Sequence, residues 1–120
     1  IIAYGPTMLK EAVLASDLLK VEGLSVAVFN FPWLNAFDNK WVRDTLGRFR
    51  TILTLDDHYT TDGLGMRLSA TLHDLGLDGT RVAHLGIDEI PACGTSAETL
   101  KWHGLDAESV ASRVQGLLKS

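Results

Sequence analysis

The feature that most constrains the fold is a regular alternation of strand-like and helix-like segments, with only short turns between them. Short runs rich in β-branched and apolar residues alternate with stretches whose apolar residues recur at helical spacing. Strands that are separated by helices imply crossover connections and a parallel sheet. The sequence therefore predicts an α/β fold, a three-layer α/β/α sandwich with a largely parallel sheet of about four or five strands.

The predicted strands are short and apolar, and the predicted helices fill the intervals between and after them. The strands cover residues 1–4, 25–31, 51–55 and 81–85. The helices cover residues 8–22, 39–49, 65–75, 97–102 and 107–118. The segment 25–31 has apolar residues on both faces, which is typical of a central strand covered by helices on both sides.

Individual residues mark the ends of these helices. Gly23 follows the first helix, as a glycine past a helix end commonly does. Asp38 precedes the second helix and is a good N-cap. The first helix is amphipathic, and Glu11 is among the charged residues that lie off its apolar stripe.

Length and composition restrict the class of protein. The length of 120 residues predicts one domain over residues 1–120. The single cysteine, Cys93, excludes an internal disulfide and makes a cytoplasmic location the default. A net charge of −4 without a basic patch argues against a nucleic-acid partner, and no apolar run approaches the ~20 residues that span a membrane. The chain opens on a strand-like segment without a signal peptide, which predicts a segment of a longer chain.

The cluster with the most chemical potential is Asp56-Asp57-His58, at the end of the third predicted strand. Ligands of parallel sheets bind outside the carboxyl ends of the strands, and carboxylates beside an imidazole could serve acid–base chemistry or hold a cation. Adjacent residues of an extended chain point in opposite directions, however, so Asp56 and Asp57 would not share one substrate atom. The favoured interpretation is that one carboxylate accepts backbone N–H bonds and fixes the following loop.

Gly63 and Gly65 precede the third predicted helix, where backbone amides and the helix dipole could bind a small anion. A dinucleotide fingerprint needs a third glycine, but this position is occupied by Leu68. The favoured interpretation is that the two glycines permit a tight turn and close packing of the helix against the sheet.

Large apolar side chains follow the second predicted strand. Trp33 and Phe37 are the predicted docking residues for a partner, because an apolar patch on a loop commonly marks a contact. In the alternative interpretation, Phe31 and Leu34 complete the core and no interface exists here. The sequence leaves both interpretations open.

No other residue gives a convincing signal, and we assign no catalytic residue and no metal ligand. His73, His84 and His103 lack metal-ligand spacing. His84 lies within a strand and is expected to be a hydrogen-bonded core residue. Cys93 lies in a loop with no base to activate it, so its role is left open.

Several short motifs, taken in order, resemble the C-terminal domain family of transketolase. The motifs are Tyr4-Gly5, Glu11-Ala12, Gly23-Leu24-Ser25-Val26, Leu55-Asp56-Asp57-His58, Asp62-Gly63-Leu64-Gly65, Leu85-Gly86-Ile87-Asp88-Glu89 and the stretch 103–110. The aspartate pair stands where the family pattern carries two glutamates. The resemblance spans essentially all 120 residues. It does not separate transketolase from 1-deoxyxylulose-5-phosphate synthase or from the β subunit of 2-oxo acid dehydrogenases.

The resemblance implies an enzyme that transfers ketol groups with thiamine diphosphate and Mg²⁺. In that family the cofactor lies between two other domains at a dimer interface, and the C-terminal domain contributes packing and dimer contacts. The resemblance thus implies that this chain binds no cofactor and is inactive alone. Its partners would be other domains of a homodimeric enzyme or a separate catalytic subunit. Asp56, Asp57 and His58 would lie at the interface or the active-site mouth, with Gly63 and Gly65 shaping the loop.

Two alternatives come from other classes of protein. The first is an independent module that binds a small anion or nucleotide near Gly63 and Gly65. The second is a flavodoxin-like or receiver domain, suggested by the aspartate pair at a strand end. A receiver needs further acids after its first strand, and Tyr4-Gly5-Pro6 supplies none.

Overall fold

A four-stranded parallel sheet forms the centre of the computed structural model, which describes all residues from Ile1 to Ser120. The strands are β1 (Ile2–Ala3), β2 (Phe29–Asn30), β3 (Thr51–Tyr59) and β4 (Arg81–Ile87). Their spatial order is β2-β1-β3-β4, and all three pairings are parallel. The predicted α/β sandwich with a parallel sheet is therefore confirmed.

Helices cover both faces of the sheet. They are α1 (Pro6–Val21), α2 (Asn39–Thr45), α3 (Leu64–Asp74), α4 (Ser96–Trp102) and α5 (Ala107–Lys119), and a 3₁₀ turn (Leu46–Arg48) follows α2. One apolar core joins α1 and α5 to the sheet, and a second core joins α2 and α3 to its other face. None of these helices is both long enough and apolar enough to cross a membrane.

The two cores meet β3 through alternate residues. Leu53 and Leu55 belong to the core under α1 and α5, whereas Ile52 belongs to the core under α2 and α3. Successive side chains of a strand point to opposite faces, so the residues with even numbers face α3 as far as the strand stays regular. This alternation directs Thr54 and Asp56 toward α3.

The position of the second strand differs from the prediction. Residues 25–31 were expected to form a central strand, but β2 covers only Phe29–Asn30 and lies at the edge of the sheet. Its surroundings explain the misleading pattern. Val26 and Val28 pack against the core on one face, and Phe29 packs into the core on the other. Apolar residues on both faces therefore indicated helices on both sides, not two neighbouring strands.

Strand β3 is longer than predicted, and its last part is irregular. Leu55 pairs with Leu85, and pairing with β4 resumes only at Tyr59 opposite Ile87, so the intervening residues form a bulge. A bulge leaves extra residues unpaired and re-aims their side chains. Asp56, Asp57 and His58 occupy this bulge rather than a loop beyond the strand.

The helix ends confirm two predictions and correct a third. The backbone at Gly23 has a φ of +82°, and Asp38 accepts hydrogen bonds from Lys40 N at 2.9 Å and Trp41 N at 3.1 Å. Glu11, expected away from the apolar stripe, is buried. Its carboxylate accepts a hydrogen bond of 2.8 Å from Ala107 N and so caps the start of α5.

Candidate functional site

The candidate site lies at the carboxyl end of the sheet, between β1 and β3. The chain leaves β1 toward β2 on one side, and later elements lie on the other side, so the strand order reverses here. Open α/β sheets bind ligands at such a switch point, outside the carboxyl ends of the strands. Tyr4 follows β1 at this point, and Asp56 to His58 lie at the end of β3.

The three residues of the bulge have different environments. Asp56 is buried, with 1% of its surface exposed, whereas Asp57 and His58 are exposed. The carboxylates of Asp56 and Asp57 therefore point in different directions, as predicted. Asp57 and His58 face solvent, where they are available to a neighbouring domain or molecule.

Asp56 holds the start of α3. Its Oδ1 accepts a hydrogen bond of 3.1 Å from Leu64 N, the first residue of that helix. This contact is the loop-fixing role favoured by the sequence. The second oxygen, Oδ2, is buried, and no protein group donates a well-formed hydrogen bond to it.

Tyr4 is affected by the same carboxylate from across the switch point. Burial, followed by the charge and hydrogen-bonding capacity of Asp56, raises the pKa of the Tyr4 hydroxyl to about 12. The two groups are thus close enough to interact, although their geometry falls outside that of a regular hydrogen bond.

The two glycines bring the chain into close contact with β3. A Cβ atom at Gly63 would lie 2.9 Å from the carbonyl oxygen of Tyr59, and one at Gly65 would lie 1.7 Å from His84 Nδ1. Neither distance is compatible with a side chain. The glycines therefore permit the tight turn and the close helix–sheet approach that the sequence favoured.

A small polar pair lies directly beneath Gly65. Thr54 Oγ1 and His84 Nδ1 are 3.3 Å apart, on adjacent strands. His84 is therefore hydrogen-bonded, as predicted. Together with Asp56 these side chains line the underside of the first turn of α3.

The electrostatics at the start of α3 do not favour an external anion at Gly63 and Gly65. The amide of Leu64 is already bound to a carboxylate, Asp56. A second negative charge would meet that carboxylate at short range, and like charges repel strongly away from water. This geometry weighs against the predicted anion site at Gly63 and Gly65.

The two predicted docking aromatics differ in their environments. Phe37 is partly buried and stacks on Phe31 with 4.9 Å between ring centroids, while the guanidinium of Arg67 lies 5.8 Å from its ring. Phe37 therefore largely completes the core. Trp33 is 72% exposed and is the freer of the two to contact a partner.

A second exposed apolar surface was not found from the sequence. Ile90 is 88% exposed and Trp102 is 70% exposed, and Glu89 joins them because its Oε1 accepts a hydrogen bond of 3.1 Å from Trp102 Nε1. Helix α4, which ends at Trp102, has no buried residue. The only available signal was an isoleucine beside a proline in a loop, which is too common to single out.

The remaining titratable residues form no recognisable active site. Asp78 raises the pKa of exposed His73 by a side-chain hydrogen bond. His103 accepts a hydrogen bond of 3.1 Å from Ala92 N, and Cys93 is exposed. No group of three or more His, Cys, Asp or Glu side chains is arranged to hold a metal ion.

The comparison that decides the family is the match to a family model. The model for the C-terminal domain of transketolase matches residues 1–110. This chain belongs to the transketolase C-terminal domain family. The predicted resemblance is therefore confirmed.

Relatives of this transketolase-type domain are enzymes much longer than the chain itself. It is 36% identical to transketolase from Homo sapiens, over 98% of this chain but only 19% of that protein. It is 34% identical to 1-deoxy-D-xylulose-5-phosphate synthase from Syntrophotalea carbinolica, over 91% of this chain and 17% of that protein. The chain thus spans about a fifth of the length of each of these two relatives.

A solved structure supports the fold of the domain. It is described as an inactive β4 tetramer of a split-gene transketolase, and it superposes with a TM-score of 0.86. The match covers 98% of this chain and 38% of that chain at 24% sequence identity. The α/β architecture of this domain is shared with that protein.

Proposed function

We propose that this chain is the C-terminal structural domain of a thiamine-diphosphate-dependent enzyme of the transketolase type. It stabilises the assembled enzyme through contacts with neighbouring domains or with a second subunit, and it has no activity of its own. The observation that carries the proposal is the family match over residues 1–110. The names of the relatives, transketolase and 1-deoxy-D-xylulose-5-phosphate synthase, support ketol transfer as the reaction.

The start of α3 does not fit the diphosphate of thiamine diphosphate, and no cluster of His, Cys, Asp or Glu side chains fits its metal ion. A diphosphate would need free backbone amides at a helix start, and at α3 the amide of Leu64 is taken by Asp56. The exposed acid beside it, Asp57, adds a second negative charge. We therefore place the cofactor, and the carbon–carbon bond chemistry that it supplies, outside this chain, in a homodimeric cytoplasmic enzyme.

Two exposed surfaces support the proposed contacts. The first lies at the carboxyl end of the sheet and contains Asp57, His58 and Trp33. The second contains Ile90 and Trp102 beside helix α4. Exposed tryptophans are the side chains most often found to dominate binding energy at interfaces. The solved neighbour, described as a β4 tetramer, supports association among such domains.

Calorimetric titration tests whether the chain binds the cofactor. Thiamine diphosphate with Mg²⁺ should give no binding tighter than about millimolar, which corresponds to roughly −4 kcal/mol. Inorganic phosphate in a parallel titration tests the alternative of an anion-binding module. Tight binding of the cofactor, or turnover of any ketose or 2-oxo acid by the chain alone, would contradict the structural role.

Sedimentation velocity tests the contact surfaces, with the chain alone and mixed with the catalytic part of its enzyme. Trp33→Ala and Trp102→Ala should each weaken association by about tenfold or more, if the mutated surface is buried in the assembly. Val21→Ala is the control. Val21 is an apolar residue that is 89% exposed, and it lies at the last position of α1, outside both surfaces. Equal association of all three variants would remove both surfaces from consideration.

A further inference from the structure

The two edges of the sheet differ in length. At one edge, β2 has only two residues, and so short a strand offers few backbone groups for pairing. At the other edge, β4 runs for seven residues and pairs with β3 on one side only. The outer side of β4 is therefore the longer of the two rows of unpaired strand groups.

The register of β4 determines which of its backbone groups point outward. Arg81 N donates a hydrogen bond of 2.8 Å to the carbonyl oxygen of Arg50, which directly precedes β3. In a parallel pair, every second residue of a strand directs both its amide and its carbonyl toward the neighbouring strand. The odd-numbered residues of β4 thus face β3. The even-numbered residues, Val82, His84 and Gly86, direct their backbone groups toward the outer edge.

The sequence of β4 does not protect this edge. Soluble proteins commonly block an exposed edge with proline, lysine, a bulge or a very short strand. The seven residues of β4 include neither proline nor lysine, and only the first, Arg81, carries a permanent charge. The bulge described above adds residues to β3, not to β4. Such an edge is suited to the addition of another strand.

A groove runs beside this edge, between β4 and helix α5. Leu85 lines it from the strand, and small residues line it from the helix, namely Ser109, Ser112 and Gly116. Because these residues are small, the backbone of a neighbouring element can approach α5 closely.

Two opposite charges lie on the same groove. Glu108 and Arg113 both line it, both are exposed, and neither forms an ion pair within the chain. A two-fold contact places a surface against a copy of itself, so that surface must be self-complementary. One carboxylate and one guanidinium on the same surface satisfy this condition, because each can pair with the opposite charge of the copy.

The strand is also complementary to a copy of itself in antiparallel register. With a two-fold axis at His84, Val82 lies opposite Gly86 of the second copy, and Ala83 lies opposite Leu85 of the second copy. A larger side chain meets a smaller one in both pairs. In this register the outward backbone groups of the even-numbered residues pair with one another.

We propose that two copies of this chain associate through β4, in antiparallel register about His84, and join their four-stranded sheets into one continuous sheet. Helix α5 of one copy lies beside α5 of the other, and Glu108 of each copy pairs with Arg113 of the other. This contact is separate from the surfaces of Trp33 and Trp102. It does not depend on the proposed function, because only β4 and α5 of this chain form it.

Hydrogen–deuterium exchange of the full chain, resolved by nuclear magnetic resonance, tests the strand pairing at low and at high protein concentration. The amides of Val82 and His84 should exchange about tenfold more slowly at the high concentration. The amides of Ala83 and Leu85 face β3 in both states and should change less. Equal exchange of Val82 and His84 at both concentrations would show that β4 does not pair with a second copy.

Charge variants test the contact between the two α5 helices by sedimentation equilibrium. Arg113→Glu should weaken the dimer about tenfold, because it opposes two carboxylates and the two-fold axis repeats the change. The double variant Glu108→Arg with Arg113→Glu should restore the parent affinity. A double variant that dimerises no better than Arg113→Glu alone would overturn the proposal.

Lys20→Glu is the matched control for Arg113→Glu. It changes the net charge by the same amount at an exposed position of α1, outside the groove, and should leave the dimer unchanged. Trp33→Ala and Trp102→Ala should also leave it unchanged, so failure of this proposal can be distinguished from failure of the proposed function.

A final arm adds the catalytic part of the enzyme to the chain. The slower exchange of Val82 and His84 should still require a high concentration of the chain. If these amides become protected at low concentration only when the catalytic part is present, another segment of the enzyme occupies the edge of β4, and the proposal of self-association is wrong.

Discussion

The two ends of the sheet are packed in opposite ways. At the carboxyl end, polar atoms of Thr54, Asp56 and His84 are covered by the first turn of α3, which approaches closely because Gly65 has no side chain. At the amino end, apolar side chains surround a cavity of about 240 Å³. The comparison shows that the tightest packing of the sheet is at its carboxyl end. An added methyl group should be intolerable at the carboxyl end and easily accommodated at the other.

The largest effect is expected for Gly65→Ala. The new Cβ would lie 1.7 Å from His84 Nδ1 and 2.5 Å from Thr54 Oγ1, so either α3 or these two side chains must move. Overpacking of this kind costs typically 1–3 kcal/mol, and we expect about 3 kcal/mol or more here. Urea unfolding monitored by circular dichroism measures the loss.

Gly116→Ala is the control for that substitution. A Cβ at Gly116 meets nothing within 4 Å, and the residue lies inside α5. Alanine is favoured over glycine in a helix by about 1 kcal/mol, so this variant should be slightly more stable than the parent. If both glycine substitutions change the free energy of unfolding equally, the close contact at Gly65 does not determine the packing of α3.

The next largest effect is expected for Asp56→Ala. The change removes the acceptor for Leu64 N and leaves that amide buried without a partner, which costs about 2 kcal/mol. The pKa of Tyr4 should also fall from about 12, because the neighbouring charge is lost. It should stay above 10.0, since burial is the largest cause of the shift. Ultraviolet titration of the phenol provides the measurement.

Asp57→Ala serves as the matched comparison at the adjacent position. Its carboxylate is exposed, and its charge raises the pKa of Tyr4 less than burial or Asp56 does. Stability should change by less than about 0.5 kcal/mol, as for most surface substitutions. Equal losses in the two variants would show that the bulge does not divide the pair into a buried and an exposed acid.

The smallest effect concerns the amino end and depends on pH. Burial lowers the pKa of the Ile1 amino group from 8.0 to about 6, so between these values the unfolded chain binds more protons than the folded one. The free energy of unfolding should therefore rise as the pH increases from 6 to 8. The expected gain is about 1–2 kcal/mol, discounted for partial exposure of the group.

Acetylation of the amino group isolates this contribution from the histidines that titrate in the same range. The acetylated chain cannot take up the proton, and the adjoining cavity has room for the added group. The acetylated chain should therefore become more stable relative to the parent chain, by about 1–2 kcal/mol, as the pH falls from 8 to 6. A constant difference across that range would mean that the amino group is not held in an apolar environment.

The sequence predicted the fold well because the fold depends on patterns that repeat. Helical periodicity and the cap at Asp38 are local signals, and the five helices and this cap were found close to where they were expected. Strand order is not local. The segment around Phe29 lies at the edge of the sheet, and helices on both sides gave it the composition of a central strand.

The candidate site was predicted only in part, for the same reason. The role of Asp56 as a loop-fixing carboxylate followed from its place at a strand end. Tyr4 was missed because its proximity to Asp56 requires β1 and β3 to be neighbours, although β2 lies between them in the sequence. Glu11 was missed because its partner, the amide of Ala107, is 96 residues away.

Helix α4 has a consequence for measurements of local motion. This seven-residue helix has no fully buried side chain; it is held by partly buried Leu100, which packs against the core, and by the capping box of Thr95 and Glu98. Its amide protons should therefore exchange with deuterium well before those of β3 or α5, through opening events that leave the domain folded. Slower exchange in this helix upon mixing with a partner would locate the surface that the partner covers, without any substitution in the chain.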